Sequence, residues 1–147
     1  MIANPRLAGF FNRALSHEMA AVQQYLMQSR LAALWGMGDL SSHFRRDVDE
    51  ELAHAERLME RMLYFGIPAN ATQLSPVRLG RTVAEILDIN RDIELEAVRL
   101  YEEAAGYCER VRDYENRDIF AAILQEEIAH LEDIGRMKKS LSATEVL

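Results

Sequence analysis

The chain has 147 residues, 49% of them hydrophobic, which suits one largely helical domain over 1–147, and its single cysteine excludes a disulfide framework and a four-cysteine metal site. Acidic residues outnumber basic ones by 24 to 17 without a basic tail, which argues against nucleic-acid binding and for a cationic partner. The chain opens without a signal-peptide pattern and has no apolar run approaching a membrane span, so we expect a cytoplasmic protein without membrane contact.

Two helices are predicted in the first half of the chain. Asn4 is a typical N-cap, Pro5 suits the first turn, and an apolar stripe carries the first helix to about Trp35. Glycines at 36 and 38 end this helix, and a second runs from about Leu40 to Phe65. The short loop between them predicts an antiparallel hairpin.

A long irregular connection and two further helices are predicted next. Residues 66–80 contain two prolines and no sustained periodicity, so they read as one crossover. Thr82 and Glu85 resemble a capping box that opens a third helix, whose stripe continues to Cys108. Asp113 offers an N-cap for a fourth helix, which runs from about residue 114 to 138–140, with Gly135 as an alternative end. Two antiparallel hairpins joined by a crossover predict an all-α fold, the four-helix bundle.

A duplicated Glu-x-x-His pattern lies on the second and fourth helices. Glu51 and His54 recur as Glu127 and His130, and the same offset along the chain relates Glu18 to Glu94 and Tyr25 to Tyr101. Each half therefore supplies a first glutamate, a second glutamate after the same interval, and a histidine one helical turn beyond that. A separation of three places the Glu and His on one helix face.

The position of these six residues indicates that they bind metal rather than lie exposed on the surface. One Glu-x-x-His pair is weak evidence, but all four glutamates lie on the apolar stripe of their helix. An unpaired buried carboxylate costs several kcal/mol, so the chain must neutralise the charge. Four carboxylates and two imidazoles in a helical bundle are the ligand set of a two-metal site, as in ferritin-like di-iron proteins.

The donor atoms restrict the metal. Carboxylate oxygens and imidazole nitrogens without a thiolate suit iron(II), manganese or zinc better than copper(I). We predict that Glu51 and Glu127 bridge the metals, that Glu18 and Glu94 are terminal ligands, and that each metal carries one histidine. Tyr25 and Tyr101 lie two turns after the terminal glutamates on the same helix face. Three roles are open for them: a hydroxyl that bonds a ligand carboxylate, a tyrosine that supplies an electron, or a core tyrosine with one polar contact.

With these residues in hand, the chain resembles the bacterioferritins of the ferritin-like di-iron superfamily, from the first helix to about Met137. The motifs that carry the resemblance are Glu18, Gln24-Tyr25, Arg30, Trp35-Gly36, Asp49-Glu50-Glu51-x-x-His54-Ala55-Glu56, Glu94-Leu95-Glu96, Gly106-Tyr107, Asp113-Tyr114, Arg117-Asp118 and Glu126-Glu127-x-x-His130. The resemblance implies that the six ligands form a ferroxidase centre, which oxidises iron(II) with oxygen or peroxide. It also implies storage of iron(III) in a hollow homo-oligomeric shell.

Leu52 departs from the family pattern, because haem-binding bacterioferritins carry a haem-ligating methionine at this position. Leucine cannot ligate iron, and Met19 and Met59 are at helical spacings typical of packing residues. The simpler interpretation is a haem-free homologue, or a mixed shell in which a partner subunit contributes haem binding.

Two other departures concern the shell. Arg46 and Glu50 stand where some members have a histidine and an aspartate of an inner-surface iron site, and residues 141–147 are shorter than the family's fifth helix. The first departure argues against that auxiliary iron route, and the second leaves a 24-subunit cage, a smaller shell and a dimer open. Two other functions are compatible with the same six ligands: a di-metal oxidase or peroxide reductase without storage, and a non-catalytic subunit of a mixed shell.

Overall fold

The computed structural model describes residues 4–71 and 73–145, and within them it contains four α-helices and no strand. The helices span Pro5–Leu34 (α1), Gly38–Phe65 (α2), Val83–Arg110 (α3) and Tyr114–Glu145 (α4). They form two compact units that divide between Leu79 and Gly80, with α1 packed on α2 in one unit and α3 packed on α4 in the other. The two predicted hairpins are therefore confirmed, whereas the single domain over 1–147 stays a prediction.

The first hairpin is held by a stripe of apolar residues and by its helix ends. The Asn4 side chain accepts a hydrogen bond from the Leu7 N–H at 2.8 Å, as expected of an N-cap. Gly66 ends α2 in the left-handed region at φ 67°, which costs glycine little. The fully buried side chains of this hairpin include Phe10, Phe11, Phe44, Leu58 and Met62.

The connection after α2 follows α1. The Asn70 N–H donates to Asn12 Oδ1 at 2.9 Å, and the Gln24 side-chain amide pairs with both backbone groups of Arg78 at 2.7 and 2.9 Å. Asn12 and Gln24 are twelve residues apart, or roughly 18 Å along the helix. The predicted crossover is thus irregular in its described residues, 67–71 and 73–80, and runs alongside α1.

The second hairpin begins with the predicted cap at Thr82. The Glu85 N–H donates to Thr82 Oγ1 at 3.1 Å, but the Glu85 carboxylate accepts from the Arg81 N–H at 2.6 Å rather than from Thr82. The N-cap at Thr82 is thus confirmed, but the bond from the Glu85 carboxylate goes to the backbone N–H of Arg81 instead of that of Thr82. Asp113 caps α4 through the Asn116 N–H at 3.3 Å.

The end of α4 differs from the prediction. The helix continues through Gly135 and beyond residue 140 to Glu145, so the alternative end at Gly135 is wrong. A glycine inside a long helix costs only about 1 kcal/mol, which the packing of a 32-residue helix outweighs. Across the part of the chain that the structure describes, no helix is both long and apolar enough to cross a membrane.

Candidate metal centre

The first hairpin brings Glu18 of α1 together with Glu51 and His54 of α2. Nδ1 of His54 lies 3.5 Å from Glu18 Oε2 and 3.6 Å from Glu51 Oε2. One ligand atom from each of the three residues lies within 4.8 Å of the others. The glutamates are fully buried and the histidine is 2% exposed. These three residues are called the first triad.

The second hairpin repeats this arrangement with Glu94 of α3 and Glu127 and His130 of α4, the second triad. Nδ1 of His130 lies 3.6 Å from Glu94 Oε1 and 3.4 Å from Glu127 Oε1. One ligand atom from each residue again lies within 4.8 Å of the others. Both glutamates are buried, but the His130 side chain is 17% exposed. Of the two histidines, His130 is therefore the more accessible to solvent.

Burial controls the protonation of Glu94 in the second triad. It raises the pKa of Glu94 from its ordinary 4.5 to about 8, against the opposing effect of the nearby His130 imidazole. Repulsion from the Glu127 carboxylate raises the pKa of Glu94 further. Without a bound cation, Glu94 therefore holds its proton at neutral pH. A cation that replaced this proton would relieve both the burial and the repulsion.

The spacing of donors in each triad suits a metal ion. The four N···O distances, from 3.4 to 3.6 Å, exceed the 2.7–3.2 Å range of ordinary N–H···O hydrogen bonds. Two ligand atoms each about 2.1 Å from one ion, at an angle of about 110°, are roughly 3.4 Å apart. In both triads Nδ1 is the imidazole nitrogen that faces the carboxylates. Each triad can therefore offer two carboxylates and one imidazole to a cation.

The other residues singled out from the sequence lie in varied surroundings. Tyr25 and Tyr101 are buried, and the Tyr101 ring packs against Phe120 with ring centroids 6.2 Å apart, while the role of the tyrosine hydroxyls stays a prediction. Leu52 is 40% exposed and offers no ligand atom. Cys108 is buried, as predicted, and burial raises the pKa of its thiol to about 11.

His17 and His43 are half-buried. His43 lies 3.5 Å from Asp47 one turn further along α2. Within the described ranges, neither histidine belongs to a group of candidate metal ligands.

Ser29, a short polar residue buried between the helices, was not predicted from the periodicity of the sequence. It bonds Ser41 across the hairpin, and the only local signal is two serines flanking a short helical loop.

Comparisons with known proteins give one family match and several relatives that cover most of the chain. A family model described as a ferritin-like domain matches residues 10–142. A bacterial ferritin from Synechocystis sp. is 35% identical over 124 residues, which cover 84% of this chain and 80% of that protein. A bacterioferritin from Rhodobacter capsulatus is 31% identical over 132 residues, which cover 90% of this chain and 82% of that protein.

A solved structure of a bacterioferritin has a similar fold. The structure of Rhodobacter capsulatus bacterioferritin, described as having a metal-free dinuclear site and a haem iron, aligns with a TM-score of 0.94. The alignment covers 97% of this chain and 89% of that one, at 29% identity. The predicted fold class, an all-α four-helix bundle of this type, is confirmed by this match.

Proposed function

The chain belongs to the ferritin-like domain family, and on that premise we propose that it is a ferroxidase that oxidises iron(II) and stores iron(III) in an oligomeric shell. The observation that carries this proposal is the repeated triad of two buried carboxylates and one imidazole, one in each hairpin. The relatives' names, bacterial ferritin and bacterioferritin, support iron as the substrate.

We propose that the six triad residues hold two irons. Glu51 and Glu127 would bridge them, Glu18 and Glu94 would be terminal ligands, and His54 and His130 would each bind one iron. Manganese and zinc are substitutes that the same donors accept. Haem is not part of the proposal, because Leu52 offers no ligand atom; a mixed shell with a haem-binding subunit would require a donor from the partner.

The residues of the chain prepare this oxidation in two ways. Buried carboxylates favour the higher charge of iron(III), so they make iron(II) a stronger reductant. Iron binding displaces the Glu94 proton, so affinity should rise with pH toward the pKa of about 8. Two iron(II) ions together supply two electrons. Two electrons and two protons reduce one hydrogen peroxide to two waters. Reduction of one dioxygen to two waters takes four electrons, so it requires two such iron pairs.

Aerobic iron loading tests the proposal. Metal-free protein is given excess iron(II) in air, and oxygen consumption, iron(III) absorbance and the iron retained after gel filtration are measured together. Glu127→Gln should slow the initial rate about tenfold or more, because it removes one charged ligand. The matched control is Glu126→Gln, which changes an exposed glutamate one residue away and should match the wild-type rate.

The outcomes separate the functions. Fast oxidation with many irons retained per chain supports a storage ferroxidase. Fast oxidation with only about two irons retained would contradict storage and favour a di-metal oxidase or peroxide reductase. Equal rates for Glu127→Gln, Glu126→Gln and the protein-free solution would contradict a catalytic role and favour a silent subunit.

A further inference from the structure

Tyr101 lies on the buried stripe of α3, two helical turns beyond Glu94 of the second triad. A separation of seven residues returns a side chain to the same helix face, and it spans roughly 10 Å along the axis. The Tyr101 side chain is 0% exposed, so its phenol is shielded from solutes. An oxidisable group is thus enclosed in the same compact hairpin as the triad.

The ring of Tyr101 packs against Phe120 of α4. The two ring centroids are 6.2 Å apart and the ring planes are tilted by 42°. Phe120 precedes Glu127 by seven residues, so on both helices this pair of rings lies two turns from a glutamate of the second triad. Phenylalanine has no hydroxyl proton to lose, so Tyr101 is the oxidisable member of the pair.

The other tyrosines of the second hairpin, and its cysteine, are less well placed. Tyr107 lies thirteen residues beyond Glu94 and on a different face of α3, and Tyr114, which opens α4, is 47% exposed. Cys108 follows Tyr101 on the same stripe but is twice as far from Glu94 along the helix. Among the described tyrosine and cysteine residues of this hairpin, Tyr101 is therefore the nearest to the triad along its helix.

Hydrogen peroxide at a half-filled centre meets too few electrons. Two iron(II) ions supply the two electrons that convert one peroxide to two waters. A single iron(II) supplies only one electron, which splits the O–O bond into a hydroxide ion and a hydroxyl radical. The His130 side chain is 17% exposed and that of His54 is 2% exposed, so a small oxidant in solvent reaches the second triad more readily.

We propose that Tyr101 supplies the missing electron when a single iron(II) at the second triad meets hydrogen peroxide. One electron comes from the iron and one from the phenol, whose O–H bond breaks. The phenolic proton and one proton from solvent join the peroxide as its O–O bond breaks, which gives two waters, iron(III) and a neutral tyrosyl radical. The inference rests on the proposed iron oxidation, and it assigns to α3 a protection against hydroxyl radical.

Rapid-freeze electron paramagnetic resonance tests this role. Metal-free protein is given a single iron(II) per chain without oxygen, mixed with hydrogen peroxide and frozen, and a parallel sample contains a spin trap for hydroxyl radical. The wild type should show a tyrosyl radical and little trapped hydroxyl radical. Tyr101→Phe keeps the ring that packs against Phe120, so it should fold as the wild type does. It should lose most of the tyrosyl signal and trap more hydroxyl radical.

Tyr107→Phe is the matched control, because it removes a buried tyrosine from another face of the same helix, and it should give the wild-type signals. An unchanged tyrosyl signal in Tyr101→Phe would overturn the proposal, and its loss in Tyr25→Phe instead would assign the donor to the first hairpin. The absorbance of iron(III) is measured in the same samples. Iron oxidation without a tyrosyl radical in the wild type contradicts this inference alone, whereas no iron oxidation contradicts the proposed function and this inference with it.

Discussion

At the scale of single residues, the six candidate ligands combine charge with burial. Five of them are 0–2% exposed. Burial of a carboxylate costs desolvation free energy that an exposed carboxylate does not lose. Their burial was predictable, because each lies on the apolar stripe of its helix. The protonation of Glu94 was not, since its pKa depends on how deeply folding buries it and on the His130 and Glu127 side chains of the neighbouring helix.

Glu94 should make the metal-free protein less stable at alkaline pH. Its folded pKa of about 8 exceeds its ordinary 4.5, so the unfolded state releases this proton first. The stability contributed by the buried neutral carboxyl is fully present below pH 4.5 and is lost as the pH rises through 8. Metal-free Glu94→Gln should therefore melt higher than the wild type at pH 8, by roughly 3 °C or more, and nearly equally at pH 5.

Zinc should reverse this order of stability. Zinc(II) should raise the melting temperature of the wild type more than that of Glu94→Gln, because the glutamine no longer supplies a charged ligand. Glu96→Gln, an exposed neighbour on α3, should behave as the wild type with and without zinc. A metal-free Glu94→Gln that melts lower than the wild type at pH 8 would show that the folded protein favours the ionised carboxylate.

At the scale of elements, helix positions followed from caps and stripes, but the path of the connection did not. Asn4, Thr82 and Asp113 cap within three residues of their partners, so local sequence carries the signal. Gln24 and Arg78 are 54 residues apart, and no periodicity relates them.

Gln24 should anchor the connection to α1. Gln24→Ala removes both hydrogen bonds to Arg78 and leaves a part-buried backbone N–H and carbonyl to find other partners. The expected loss is about 1–3 kcal/mol in the free energy of unfolding, measured by urea denaturation, with faster hydrogen exchange at the Arg78 amide. Gln23→Ala, at the exposed neighbouring position, should change neither quantity. Equal effects of the two substitutions would mean that the connection is held by other contacts.

At the scale of the whole molecule, the chain is a repeated hairpin that carries the same triad twice. The constant offset between the two Glu-x-x-His pairs already indicated this duplication. The two triads reproduce it, with N···O distances of 3.5 and 3.6 Å in the first and 3.6 and 3.4 Å in the second. The asymmetry between them, a His130 more exposed than His54, has no counterpart in the sequence pattern. Net charge −7 suits a protein that attracts cations.

The most direct test of the two-metal centre is an anaerobic titration of the metal-free protein with iron(II), followed by calorimetry and by the absorbance of bound iron. Saturation at two irons per chain in the wild type and in Glu126→Gln, with fewer bound irons or weaker binding in Glu127→Gln, is the predicted result. Saturation at one iron per chain, or the same isotherm for Glu127→Gln and Glu126→Gln, would contradict a centre built from both triads.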